Sequence, residues 1–375
     1  MKKVNILFQS SYEHARMGGQ KSLLALLDNL DREVFVPFLT VPYEGELKEI
    51  AIKKDIDVLV QPLPGMKPVN YFKLKKIRDR FVNYVKENNI SIIHTDNDKF
   101  AFLATFIAKK TNSKTIYHAR VTSNRKYDKL LEKRVDRIIG ISEAVRNRFN
   151  SKITNSKFSV IFNGVDCNLF SDVYDKKALQ NKLGLDPIKK NLLFVGQIKE
   201  GKGLLDIIAA AKLLNERQEN VFHFYILGKE SDPGNLEIFE NRIQEYGLKD
   251  NIKFMGQQDK VHEWLQATDI LLFPSHEGVE GMGRVPFEAM ATGTPVVATN
   301  ISGVNEAVTD EVGILINQED PEAMVKAIER LANDNKLYDK LAKAGRKRAM
   351  ELFDIKIHAK KVMGLYEKMV ISNEN

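Results

Sequence analysis

Between Ser275 and Thr299 the chain reads Ser-His-Glu-Gly-Val-Glu-Gly-Met-Gly-Arg-Val-Pro-Phe-Glu-Ala-Met-Ala-Thr-Gly-Thr-Pro-Val-Val-Ala-Thr, with seven residues between the carboxylates of Glu280 and Glu288. Gly278, Gly281 and Gly283 allow backbone N–H groups to approach a ligand closely. Pro286 suits the first turn of a helix that ends before Gly293. Free N–H groups at such a helix start meet phosphate or sugar oxygens. Carboxylates are poor partners for an anion but accept well from paired hydroxyls. Glu280 and Glu288 therefore fit a ligand whose phosphates are flanked by a sugar or a ribose diol. The same residues also fit an ordinary glycine-rich loop whose first-turn glutamate is held by the helix dipole.

A second loop, Gly196-Gln-Ile-Lys-Glu-Gly-Lys-Gly203, departs at one position from the phosphate-binding pattern G-x-x-x-x-G-K-[ST]. Gly203 stands where a hydroxyl would ligate Mg²⁺, which argues against an NTPase. What survives is Lys202, held near phosphates by a glycine-rich turn. Gly18-Gly19-Gln20 opens a helix after the first strand without the G-x-G-x-x-G of dinucleotide binders. His118 closes a strand, and Arg120 two residues later faces either an acceptor anion or solvent. His94 and His118 make no recognisable zinc spacing.

These residues need strands that end beside them. The front half alternates short apolar runs with amphipathic stretches: strands at Val4–Gln9, Val34–Val41, Val58–Gln61, Ile90–His94, Thr115–His118 and Arg137–Ile141, with helices over Gln20–Leu30 and Tyr71–Asn88, and Phe158–Phe162 then leads into a turn signal. The turn Asn163-Gly164-Val165-Asp166 follows, and then the pattern restarts. Its strands are Asn191–Val195, Phe222–Leu227, Lys253–Met255, Ile270–Phe273, Pro295–Ala298 and Gly313–Ile316, with a helix over Gly203–Glu216. Such alternation implies two doubly wound parallel sheets, in which ligands bind beyond the carboxyl ends of the strands. The expected domains are 1–165 and 166–350, with 351–375 a helix packing back on the first.

The 375 residues are 43% hydrophobic and 29% charged, which suits two globular domains. No run is long enough to span a bilayer, and MKKVNILFQS reads as a first strand rather than a leader. The single cysteine, Cys167, fits a reducing compartment. Residues 1–165 hold 30 Lys and Arg against 17 Asp and Glu, and the remainder 27 against 33. Lys73, Lys75, Lys76, Arg78 and Arg80 crowd one helix of that basic front half. The reading is either a surface for anionic lipid or a solvated helix. No stacking or helix-turn-helix pattern accompanies these charges, so nucleic acid is not an expected partner.

The segment of Glu280, Glu288, Ala289-Met290-Ala291, Gly293 and Pro295-Val296-Val297 resembles the signature of retaining glycosyltransferases of the GT-B fold, family 4 (group 1 type). The resemblance implies two Rossmann-like domains facing a central cleft, the front one binding acceptor and the back one a nucleotide sugar. It implies that Glu288 binds the donor ribose and Glu280 lies by the donor sugar. Backbone groups at Gly281, Met282 and Gly283 would reach sugar and diphosphate, and Gly228 would pack near the base. Lys202 matches the second member of a cationic pair whose first, commonly arginine, is here Gln197. Gly18 and Gly19 would face the donor phosphate, and His118 the reacting sugar. Arg284 replaces an aliphatic residue and would touch an acidic sugar, an acceptor or solvent. Asp96-Asn97-Asp98 mimics the D-x-D of another transferase architecture, but capping of a helix by either aspartate is the preferred reading.

The function implied is metal-independent, retaining transfer of a sugar from a nucleoside diphosphate sugar to a glycan or lipid-linked acceptor. It would serve cell-surface polysaccharide or glycolipid synthesis, in the cytoplasm or peripheral at the inner membrane face. No cofactor is expected. A nucleotide-sugar hydrolase or epimerase and a noncatalytic partner subunit are the alternatives.

Overall fold

The computed structural model describes residues 3–150, 153–154, 156–171, 175–217 and 221–371. The chain forms two compact units, residues 1–164 with 355–375, and residues 165–354. These limits differ by one and four residues from the expected 165/166 and 350/351. The reason is local: Val165 bridges to Asp354, and its N–H donates to the Phe353 carbonyl at 2.9 Å.

Among the described residues the front unit holds seven strands: β1 (Val4–Gln9), β2 (Phe35–Val41), β3 (Asp57–Val60), β4 (Ile90–Thr95), β5 (Lys114–Ala119), β6 (Arg137–Gly140) and β7 (Phe158–Val160). The described residues of the back unit hold six: β8 (Lys190–Val195), β9 (Phe222–Leu227), β10 (Ile252–Gly256), β11 (Ile270–Phe273), β12 (Val296–Thr299) and β13 (Gly313–Ile316). The twelve strands read in the sequence are all found, within one residue at their ends, and β7 lies in the run Phe158–Phe162 that leads into the turn. Their pairings are parallel, which explains why inner strands such as Ile-Leu-Leu-Phe are apolar at every position: both faces are covered by helices.

The front order is β3-β2-β1-β4-β5-β6-β7 and the back order β10-β9-β8-β11-β12-β13. Strand order reverses between β1 and β4 in one sheet, and between β8 and β11 in the other. Those reversals open a crevice beyond the strands' carboxyl ends. The Gly18-Gly19 and Asp96 loops follow β1 and β4; the Lys202 and Glu280 loops follow β8 and β11.

Helix Ile355–Ile371 belongs to the front unit, where Ala359, Val362, Leu365, Tyr366 and Met369 join the core around Phe8, Leu26 and Leu39. Its buried positions recur every three or four residues, as one helix face requires. The expected helix over 351–375 is described as far as 371; its last four residues lie outside the described residues. Among the described residues no helix is long and apolar enough to cross a membrane.

Candidate active site

In the back unit, chain direction is set by a glycine. Gly203 follows a short 3-10 turn, Glu200–Lys202, at φ +71°, and a Cβ there would collide with the Pro274 carbonyl. A left-handed backbone pressed against another loop admits glycine alone. The serine or threonine of a true P-loop is thus excluded by packing as well as by sequence. A second close approach occurs at Gly228, whose Cβ would strike the Gly196 carbonyl, so the ends of β8 and β9 lie one against the other. Gln197, beside them, is exposed.

The turn delivers Lys202 to Glu280, and their side chains form an ion pair in which each is only 12% exposed. Ser275, fully buried at the end of β11, donates its hydroxyl to the same carboxylate at 3.1 Å. Thr299 in turn donates to the Ser275 carbonyl, which ties the end of β12 to that loop. His276 contributes its N–H to the Gly201 carbonyl at 2.9 Å and its ring to Asp206 at 2.9 Å. Glu277 accepts from the Ser302 N–H at 3.0 Å. The Lys202 and Glu280 loops are therefore braced on each other from several sides. Nothing in the sequence assigned Ser275, His276 or Asp206 to this support. Their partners are 5 to 75 residues away, so only the fold reveals them.

Helix Val285–Thr292 begins just after Gly281, Met282 and Gly283, has Pro286 in its first turn, and stops at Gly293 in the left-handed region. Gly281 and Met282 are buried. Glu288, 8% exposed, is held by Arg284 from one turn earlier, with Nε and Nη2 each 3.2 Å from one carboxylate oxygen. Arg284 thus pairs with the residue expected at the ribose, not with solvent. The spacing explains it, since residues four apart share a helix face.

In the front unit, helix Gly18–Asp28 starts directly on the two glycines, with no side-chain cap. Asp96 lies beside it: a Cβ on Gly19 would be 3.6 Å from the Asp96 carboxylate. Arg120 bridges the loops, with Nε 3.3 Å from Asp96 and Nη1 donating to Asn163 at 2.8 Å. Burial raises the Asp96 pKa from its ordinary value although Arg120 opposes the shift. The helix after Asp96 is capped by Asn97, whose side chain accepts from the Phe100 N–H at 3.0 Å. Neither aspartate caps it, which corrects the sequence reading: Asp98 already lies in the first turn and Asp96 is engaged by Arg120. His118 is wholly buried and approaches His94 at 3.1 Å. Burial drives the His118 pKa well below its ordinary value, and the neighbouring Arg120 charge adds to the effect. Among the described residues no cluster of His, Cys, Asp and Glu is arranged to hold a metal.

Two doubly wound parallel sheets with loops of this kind define the GT-B class, and solved structures agree over the whole chain. A glycosyltransferase of Rickettsia africae superposes with a TM-score of 0.88 at 21% identity, covering 99% of each chain. Anabaena Alr3699/HepE, solved with UDP and glucose, gives 0.83 at 20% identity over 96% of this chain and 99% of that one. In sequence, the family described as glycosyl transferases group 1 matches residues 175–348, and glycosyltransferase family 4 matches residues 17–169. The lipopolysaccharide core biosynthesis mannosyltransferase LpsB of Rhizobium meliloti is 31% identical over 251 residues, 65% of this chain and 69% of that protein. A UDP-Gal:alpha-D-GlcNAc-diphosphoundecaprenol alpha-1,3-galactosyltransferase of Escherichia coli is 26% identical over 363 residues, 92% of this chain and 86% of its own. The chain belongs to the family 4, group 1 glycosyltransferases.

Proposed function

We propose that this glycosyltransferase moves a sugar from a nucleoside diphosphate sugar to a glycan or lipid-linked acceptor, with retention at the anomeric carbon and without a metal. The observation that carries the proposal is the part-buried Lys202–Glu280 pair at the strand-order reversal of the back sheet. It puts a cation for phosphate and a carboxylate for sugar hydroxyls side by side. Glu288 takes the ribose diol, the helix start at Pro286 offers N–H groups to phosphate, and Gly228 packs by the base.

In the reaction, the bond from the anomeric carbon to the diphosphate oxygen breaks, and an acceptor hydroxyl oxygen bonds to that carbon on the same face. Its proton passes to the departing phosphate. Negative charge grows on the leaving group, and preorganised charge at Lys202 stabilises it where water is excluded. The lipopolysaccharide and diphosphoundecaprenol names of two relatives support a cell-envelope acceptor, and the UDP complexes of HepE support a nucleotide donor. Acceptor binding is assigned to the front unit, through Arg120 and the basic surface of helix Tyr71–Glu87. Val69, Tyr71 and Phe72 are strongly exposed there beside Lys73, Lys75 and Lys76. Apolar side chains among lysines suit the cytoplasmic face of an anionic membrane.

A thermal-shift panel of UDP, GDP and ADP with their sugars tests the donor assignment. One base should raise Tm through binding to the folded state, and a flat response to all of them would overturn it. Product anomers read by proton NMR then test retention.

A further inference from the structure

Within the back unit, the turn that carries Lys202 is fastened to the Glu280 loop by contacts separate from their ion pair. His276 lies between β11 and Glu280, and it grips the turn on both sides of Lys202. Its backbone N–H donates to the Gly201 carbonyl at 2.9 Å. Its ring Nε2 lies 2.9 Å from Oδ2 of Asp206, in the first turn of helix Leu204–Arg217. A carboxylate oxygen only accepts, so Nε2 carries the proton of that bond. The Asp206 side chain is 12% exposed and that of His276 26%, so water competes weakly at either end. Nδ1 of the same ring faces Glu319 at 3.9 Å. Packing adds to this hold: a Cβ on Gly201 would stand 2.8 Å from the Val279 side chain.

Lys202 is therefore restrained in two different ways. The ion pair with Glu280 fixes its ammonium, and the two His276 bonds fix its backbone from either side. A diphosphate that takes the ammonium displaces Glu280 and so removes the first restraint. The second is then what keeps the turn in place. A lysine has a flexible four-carbon stem, and a loose backbone beneath it would add to the entropy lost on binding.

We propose that His276 and Asp206 are positioning residues, which together hold the Lys202 turn for the donor's diphosphate once the Lys202–Glu280 pair opens. Both act through Lys202 rather than on the ligand. That the ligand is a nucleotide sugar rests on the function proposed above; the anchoring of a lysine for a diphosphate needs no nucleoside.

Calorimetric titration with UDP, GDP and ADP is the test, for His276→Ala, Asp206→Ala and His276→Gln, alone and combined with Lys202→Ala. Each alanine variant should raise the Kd of the bound nucleotide about tenfold. His276→Gln, which keeps an N–H donor on a side chain of similar reach, should stay within about threefold of wild type. In the Lys202→Ala background, His276→Ala should change Kd by less than about twofold, because the residue it positions is gone. A merely structural role predicts equal losses in both backgrounds and no rescue by glutamine. That result, or unchanged affinity in both alanine variants, would overturn the proposal. Inorganic pyrophosphate, titrated into Glu280→Gln, is the second probe: there the competing carboxylate is gone, and His276→Ala should again cost about tenfold. Pyrophosphate binding with this pattern, but no binding of any nucleotide, refutes the donor assignment and leaves the anchoring intact. Nucleotide binding without the pattern overturns the anchoring alone, and no binding of either probe overturns both.

Discussion

Neutralising Glu280 should tighten the binding of a free nucleoside diphosphate, whereas removing Lys202 should weaken it. In the unliganded protein each cancels the other's charge, at 12% exposure. A diphosphate that approaches Lys202 meets a competing carboxylate. Two unit charges about 4 Å apart interact by about 4 kcal/mol at an effective permittivity of ~20. Solvation of the partly exposed groups offsets roughly half or more of that, leaving about 1–2 kcal/mol. At 1.4 kcal/mol per tenfold, Lys202→Ala should raise the Kd for UDP or GDP about 5- to 30-fold. Glu280→Gln should lower it by about the same factor, because the amide oxygen still accepts from Ser275 while the competing charge is gone.

The nucleotide sugar should behave differently in Glu280→Gln. Its sugar hydroxyls lose a charge-assisted acceptor worth about 1.5–3 kcal/mol, so turnover should fall although the diphosphate binds better. Calorimetric titration of wild type, both single variants and the double variant with UDP and GDP decides the matter. If Glu280→Gln loses diphosphate affinity as Lys202→Ala does, the two residues form one cooperative anion site, and the exchange of ion pairs is wrong.

Gly203→Ser would complete the P-loop pattern, yet it should create no nucleotidase. The new Cβ meets the Pro274 carbonyl from a left-handed backbone, and a penalty of about 2–3 kcal/mol should lower Tm by about 5–10 °C in a melting curve. The neutral histidines of the front unit predict acid sensitivity. Their folded pKa values lie below the unfolded value near ~6.5, so their contribution is present above that pH and is lost as pH falls toward about 3 for His94. At pH 5 the loss reaches up to about 2 kcal/mol per histidine, and His94→Asn should flatten the fall of Tm between pH 7 and 5. Finally, the protein should sediment with phosphatidylglycerol vesicles in low salt and release in ~0.5 M salt. Phe72→Ser with Lys73→Glu and Lys76→Glu should abolish this binding; equal retention by neutral vesicles would reject the lipid surface.

Much of this architecture is legible because strands buried on both faces are unbroken apolar runs, and the loops between them carry glycines. Ile270–Phe273 and Gly196–Gly203 announce themselves in that way. Pairing over long separations does not. Lys202 and Glu280 are 78 residues apart, and His94 and Tyr366 272 apart, so only the strand order brings each pair together. Arg284 and Glu288 are an intermediate case. Their four-residue spacing predicts a contact on any helix, yet a site reading that sends each to a ligand overlooks that they satisfy each other. Asn97 was hidden by its neighbours: two aspartates flank it, and only the backbone path shows that the middle residue occupies the cap.

The back unit carries 23 Lys and Arg against 31 Asp and Glu, so a diphosphate approaches a body of its own sign. A fully exposed cation would attract that ligand, but it would equally attract any phosphate in solution. Both cations bound to the site carboxylates are instead held in reserve, Lys202 by Glu280 and Arg284 by Glu288. To release a cation, a ligand needs to supply something for the carboxylate as well. A nucleotide sugar has hydroxyls at both ends of its diphosphate, one set on ribose and one on the sugar; inorganic pyrophosphate has neither. With Gln197 uncharged, the loops rely on that exchange rather than on a standing excess of positive charge. On the proposed donor assignment, the selectivity for a doubly hydroxylated ligand resides in the carboxylates, and pyrophosphate should gain more from Glu280→Gln than a nucleotide sugar does.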